Sequence, residues 1–199
     1  MRVNRKVKIL LVSNNLWDFA EGLFGPLFAV FAGRVGGSIL DISWAWTVYL
    51  GVRGLMVMAV GRISDKQIKK ETLVVLGYVL NTVATFAYLL VRDRWSLFAV
   101  EILAGAAAAL AIPTWFSLFS RQSSKRNSGW LWGMASGQSD LVAAGGMVLG
   151  GLIVSMWSFE GLFLTMGTIQ LVATFYQAKL LVVGRRRTLG QIALRFLAK

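Results

Sequence analysis

The 199-residue sequence has no cysteine and no histidine. Disulfides are excluded, and with them any inference about redox compartment. Thiolate and imidazole metal ligands are excluded too, as is a reaction that needs a histidine base, including a membrane serine protease built on a Ser-His pair. No nucleophile–base set and no cofactor loop replaces them, so the reading is of a non-enzyme without metal or cofactor. Charge is scarce: Asp, Glu, Lys and Arg make up 15% of the chain, against roughly a quarter in ordinary soluble domains. Acid is scarcest, with nine carboxylates against 21 Lys and Arg and a net charge of +12.

What is there is apolar. Hydrophobic residues reach 56% and mean hydropathy is +0.64, which with long apolar runs places the chain in the membrane class. Such a positive charge in a soluble protein would point to nucleic acid. Here the cations sit between and beyond the apolar runs, so the partner is the lipid bilayer and not nucleic acid. A helix needs about 20 residues to cross the hydrocarbon core. Six segments qualify: 9–33, 40–61, 72–91, 96–120, 129–155 and 159–182. The predicted fold class is all-α, a polytopic bundle over residues 1–184 with a basic tail at 185–199. In that tail Leu189, Ile192, Ala193, Phe196 and Leu197 recur at helical spacing, as in a basic amphipathic helix on a membrane surface. The start, Arg2 to Lys8 followed by Ile9-Leu10-Leu11-Val12, resembles a signal peptide. Asn14, Asn15, Asp18 and Glu21 interrupt the apolar run early, and no small-x-small cleavage site follows, so a retained first helix is expected.

Seventeen of the 21 Lys and Arg fall on one side of this arrangement. They are Arg2, Arg5, Lys6 and Lys8, then Arg62, Lys66, Lys69 and Lys70, then Arg121, Lys125 and Arg126, then Lys179, Arg185, Arg186, Arg187, Arg195 and Lys199. Arg34, Arg92 and Arg94 fall on the other side, and Arg53 lies within a span. The bias puts both termini in the cytoplasm, in a multi-pass inner (plasma) membrane protein. Pro26 precedes Arg34 by eight residues and Pro113 precedes Arg121 by eight, on spans running in opposite directions. That is a faint echo of a three-plus-three inverted repeat.

Between the second and third spans stands Gly61-Arg62-Ile63-Ser64-Asp65-Lys66-Gln67-Ile68-Lys69-Lys70. This string resembles the signature loop of the major facilitator superfamily, Gly-x-x-x-Asp-Arg/Lys followed by further basic residues. The resemblance assigns Gly61, Asp65, Lys66, Lys69 and Lys70, with Arg121 on the same membrane surface, to a hinge that gates the carrier. The fourth span, Leu97 to Ala106, resembles the family's second motif, with Glu101 where the family has arginine and Ala104 where it has glutamine. The fifth, Gly146-Met147-Val148-Leu149-Gly150-Gly151, resembles the third motif without its proline. Trp157-Ser158-Phe159-Glu160-Gly161-Leu162-Phe163 is similar to the short turn into the sixth helix. The resemblance implies one six-helix half of a twelve-helix carrier. It also implies that Asp65 faces the start of the fifth span, near Ser128 and Gly129, across the boundary between halves.

Several residues are candidates for the chemistry of transport. Asn14, Asp18, Glu21 and Gly25 are spaced by four, three and four, one narrow stripe on a helix. Ionisable groups inside a span are costly and normally face a cavity or a partner. Arg53 lies eight residues before Gly61, about 12 Å along a helix, and Asp140 eleven residues into its span. Both match the depth of Asp18 and Glu21, so an ion pair of Arg53 with a carboxylate is expected, the remaining carboxylates holding a proton. Glu101 is also a candidate for the transport cavity and its coupling; it is placed nearer the outer surface, where the alternative is a solvated wall residue. Gly129, Gly133 and Gly137, and then Gly146, Gly150 and Gly151, are expected to form helix-packing faces. Trp115, Trp130, Trp132 and Trp157 near span ends are expected in interfacial belts.

The function expected is secondary transport of an unidentified small solute by alternating access, with proton coupling through Asp18, Glu21 or Asp140. One six-helix half holds half a site, so a homodimer or a separately encoded second half is expected. The alternatives are a non-transporting membrane interaction or assembly protein that keeps the bundle, and a truncated gene.

Overall fold

The computed structural model describes residues 4–66, 69–122 and 128–197; for 63–66 and 184–197 it gives the course of the backbone. The helices are α1 (Arg5–Phe24), α2 (Phe28–Arg34), α3 (Ile39–Lys66), α4 (Lys70–Ala87), α5 (Arg94–Ser120), α6 (Ser128–Met156) and α7 (Phe159–Leu197). They make six rods, because α1 and α2 are one rod interrupted by a 3-10 turn at Gly25–Leu27. Pro26 explains the break, since it has no N–H to donate and its ring crowds the preceding turn. Five rods are long and apolar enough to cross a membrane: Ile39–Arg62, Lys70–Leu90, Arg94–Ser120, Ser128–Met156 and Phe159–Val183. The first rod is less apolar because it carries the Asn14, Asn15, Asp18 and Glu21 set.

The ends follow ordinary capping chemistry. Asp93 and Ser96 form a capping box at the start of α5, with Ser96 N donating to Asp93 Oδ1 at 2.8 Å and Asp93 N donating to Ser96 Oγ at 3.1 Å. Gly36, at φ +85°, makes the turn into α3 that a residue with a Cβ would strain to make. Two boundaries differ from expectation. Helix α3 runs on through Gly61 to Lys66, so most of the signature string is the last turn of a helix; no proline stops it, and one glycine near a helix end costs about 1 kcal/mol at most. Helix α7 continues past Val183 to Leu197 without a break in the backbone.

The packing obeys a pseudo-twofold exchange of the first three rods with the last three. α1 packs on α6 as α5 packs on α3, α1 packs on α7 as α5 packs on α4, and α4 and α7 face each other. This is the inverted repeat that the proline spacing hints at. Glycines permit the close crossings. A Cβ on Gly105 would meet the Tyr49 carbonyl oxygen of α3 at 2.7 Å, and one on Gly77 would meet the Ala111 nitrogen of α5 at 2.6 Å. On the related interface, Gly146 lies against the Phe19 carbonyl and Gly150 against the Leu23 carbonyl of α1. Gly129, Gly133, Gly137 and Gly151 have open space where a Cβ would stand. The packing expected at those four is therefore not made with another helix among the described residues, because their side of α6 faces away from α1.

Apolar contacts close both ends. At the end carrying Arg34 and Arg94, an aromatic knot joins Phe24, Phe28, Phe31, Tyr88 and Phe163, with Tyr88 stacked on Phe163 at 5.1 Å. At the end carrying Lys6 and Arg121, Leu10, Val74, Tyr78, Trp115, Phe119 and Leu180 pack together. Asn4 donates to Gln122 and Lys6 pairs with Glu71 at 3.1 Å there.

Candidate functional site

Between the two apolar ends, α1, α4 and α7 share a buried polar seam. α7 contributes Gln170, Thr174 and Gln177, spaced by four and three, and all are buried. Thr82 and Thr174 hydroxyls meet at 2.9 Å, and Thr85 donates to Gln170 Oε1 at 2.7 Å. Ser13 donates to Gln177 Oε1. Gln170 Nε2 and Asn81 Nδ2 both donate to Glu21 Oε1, each at 2.9 Å. The seam thus holds Glu21 in one rotamer with neutral donors, while the rest of the residue faces open space.

Two cavities flank the seam. The first, of about 270 Å³, is lined by Asn14, Trp17, Asp18, Tyr78, Ala111, Ile112, Trp115, Phe116, Trp132, Ala135, Ser136 and Ser139. Its one charged group among the described residues is Asp18, whose Oδ2 accepts from Asn14 Nδ2 of the preceding turn and from Ser139 Oγ of α6. The second, of about 160 Å³, contains Glu21 and Glu101 among Trp17, Phe24, Phe28, Trp46, Tyr49, Asn81 and Tyr88. Trp17 and Ile112 belong to both walls, and Trp17 leans on Tyr78 with ring centroids 4.5 Å apart.

The helix-1 stripe is therefore divided between two chambers: Asn14 and Asp18 in the first, Glu21 and Gly25 in the second. Glu101 lines the second cavity and is not a solvated wall residue. It is 5% exposed and accepts a hydrogen bond from the Tyr88 hydroxyl, because α5 turns it inward against α4. Arg53 makes no ion pair with a carboxylate among the described residues; the described pairs are Lys6–Glu71 and Arg94–Asp41. It lies instead near the hydroxyl of Tyr49, one turn earlier on α3. Asp140 is exposed and lines neither cavity; its neighbour Ser139, about 100° around the helix, is the residue that reaches Asp18. Trp115 and Trp132 do not lie in a belt. They wall the Asp18 cavity, and Trp115 Nε1 is held by the Leu10 carbonyl at 3.1 Å. Trp130 and Trp157 are exposed.

In the signature string, Gly61 is in α3, Lys69 precedes the first turn of α4, and Lys70 Nζ donates to Ser117 Oγ at 2.7 Å. The side chains of Asp65 and Lys66 lie outside the described residues, so the pairing expected of Asp65 is not described. Arg121 caps α5 at the surface. Sequence reasoning missed Ser139, Asn81, Gln170, Tyr88 and the role of Trp17. The Gln170–Thr174–Gln177 spacing was the available signal.

Six rods in an inverted repeat, with polar and carboxylate groups facing mid-bundle cavities, define a helical solute carrier's architecture. Residues 10–195 match the Major Facilitator Superfamily, and the chain belongs to it. It is similar to two proteins called multidrug resistance protein MdtG. The protein from Dickeya zeae (strain Ech586) is 24% identical over 174 residues, which is 85% of this chain and 42% of that protein. That of Escherichia fergusonii is 21% identical over 176 residues, 86% of this chain and 43% of that protein. The chain thus spans less than half the length of these curated relatives.

Proposed function

We propose that the chain is one half of a secondary carrier for small amphipathic solutes, completed by a second copy or a separately encoded half. The observation that carries the reading is the Asp18 cavity: one carboxylate, held by two neutral donors, inside a wall of Trp17, Tyr78, Trp115, Phe116 and Trp132. Such a wall suits an aromatic or lipophilic body, and its carboxylate suits a positive group or, in the absence of solute, a proton. The printed name of the relatives, multidrug resistance, accords with a solute of that kind. Exchange of a proton on Asp18 for a cationic solute couples the two fluxes. The termini and the signature string lie on the cytoplasmic side, as the cation bias requires.

The test uses proteoliposomes and tetraphenylphosphonium, a lipophilic cation. Uptake driven by an imposed pH gradient is expected from wild type. Asp18→Asn should reduce it by about tenfold or more, the weight of one charge-assisted contact, without reducing insertion. Differently tagged copies with Asp65→Cys and Ser128→Cys should crosslink between chains in membranes. No gradient-driven uptake by the assembled protein, together with crosslinks confined to one chain, would leave a non-transporting membrane assembly protein as the better reading.

A further inference from the structure

The transport reading uses the Asp18 cavity and leaves the other chamber unassigned. That chamber has unusual electrostatics. Glu101, 5% exposed, and Glu21 both line it, from helices α5 and α1. Neither has a cationic partner among the described residues: Glu21 Oε1 takes two amide donors and Glu101 Oε1 takes the Tyr88 hydroxyl. The described hydrogen bonds leave the second oxygen of each carboxylate for another partner. No Lys or Arg among the described residues lines the chamber. Arg53 lies beside the hydroxyl of Tyr49, which is itself within electrostatic reach of both carboxylates. Two carboxylates sharing one chamber repel each other, and the repulsion is relieved by a proton on one of them or by a cation between them. The remaining wall is aromatic. Trp17, Phe28, Trp46 and Tyr49 present rings of the kind that hold ammonium groups by cation–π attraction.

We propose that this chamber is a second binding site, which takes a small primary or secondary organic ammonium between Glu21 and Glu101 with its apolar body against the aromatic rings. The free carboxylate oxygens are acceptors, so the ligand's nitrogen must carry hydrogens; a quaternary ammonium has none to give. At about 160 Å³ the chamber is below the 300–1,000 Å³ usual for drug-sized ligands, which limits the guest to an ammonium head with about one ring. The site concerns binding alone and stands whether or not the Asp18 cavity carries transport.

Calorimetric titration of the full chain in lipid nanodiscs tests it, with benzylammonium as probe and benzyl alcohol as its neutral counterpart. Measurements in an Asp18→Asn background remove the charge of the other cavity. There benzylammonium should still bind, about tenfold or more tighter than benzyl alcohol. Adding Glu101→Gln, which keeps an acceptor for Tyr88, should weaken it about tenfold or more. Trp46→Ala, at a half-exposed position at the edge of the apolar knot, where the indole meets Phe28 with ring centroids 5.6 Å apart, should weaken it by roughly twofold to fivefold, the weight of one cation–π contact. An unchanged tryptophan-fluorescence unfolding transition in each variant keeps the comparison to folded protein. Loss of binding in Asp18→Asn alone, equal binding of benzyl alcohol, or binding indifferent to Glu101→Gln would each overturn the assignment.

Discussion

Replacing Gly105 by alanine probes the crossing on which α3 depends. The new methyl would stand 2.7 Å from the Tyr49 carbonyl oxygen, 3.3 Å from the Arg53 nitrogen and 3.3 Å from Val52 Cβ. Ordinary van der Waals contact begins at 3.4 Å, so α3 and α5 must part by roughly 0.7 Å at this point. The obstacle is backbone, which no rotamer change can move aside. A gap of that size forfeits about a quarter to a half of each dispersion contact along the crossing. α3 has little else to hold it, since the apolar stretch of its span is only 11% buried and α5 is the main helix it touches. The cost should lie toward the upper part of the overpacking range, about 2–3 kcal/mol. At roughly 2–4 °C per kcal/mol for a chain of this size, the midpoint of thermal unfolding should fall by about 5–10 °C in a fixed detergent. Gly54→Ala is the control: it lies on α3, the other helix of this crossing, with nothing within 4 Å, so it should be neutral or slightly stabilising. A Gly105→Ala midpoint within about 1 °C of wild type, or an equal fall in Gly54→Ala, would refute the reasoning.

Three further outcomes are expected. Gln170→Leu strands the Thr85 hydroxyl and removes one donor from Glu21, so it should cost about 1–3 kcal/mol in equilibrium unfolding, against little for Leu171→Ala on the exposed side. A double-mutant cycle with Lys6→Met and Glu71→Gln should give a coupling of about 1 kcal/mol that shrinks with added salt, as the pair is only partly exposed; no coupling at low salt would contradict the 3.1 Å contact. With an impermeant thiol reagent on intact cells, Gly36→Cys should react and Arg121→Cys should react only after permeabilisation, and the reverse pattern would invert the orientation.

Five of the six rods were legible because an apolar run long enough to cross a bilayer and the cations at its ends are both properties of single segments; in the first rod polar residues interrupt the apolar run. The two halves' pseudosymmetry was faintly visible in Pro26 and Pro113, and the residues of the Asn14–Asp18–Glu21 stripe line the two cavities. Depth along a helix was readable; direction around the bundle was not. Arg53, Asp140 and Glu21 share a depth, yet Arg53 turns toward Tyr49, Asp140 turns outward, and Glu21 turns to Asn81 and Gln170. Glu101 looked peripheral by its distance from the helix start, and only the neighbouring Tyr88 hydroxyl shows why it is buried. The Trp115 and Trp132 side chains looked interfacial by position, but the first turns of α1 cover that end of the bundle and draw Trp115 inward. The glycines at 129, 133 and 137 have the spacing of a packing face, and spacing cannot say whether the partner is in the same chain.

The indole of Trp17 forms part of both chambers' walls, with Tyr78 against it. Space ceded by that ring on one side is taken from the other. If both chambers take guests, one that pushes the ring away would enlarge its own room and shrink its neighbour's, which would link occupancy of the two sides with negative sign. The linkage is reciprocal: whatever factor a guest beside Asp18 imposes on one beside Glu101, it receives in return. A single side chain on the first helix can thus act as a ledger of which side is filled, and a smaller residue there would let both fill at once.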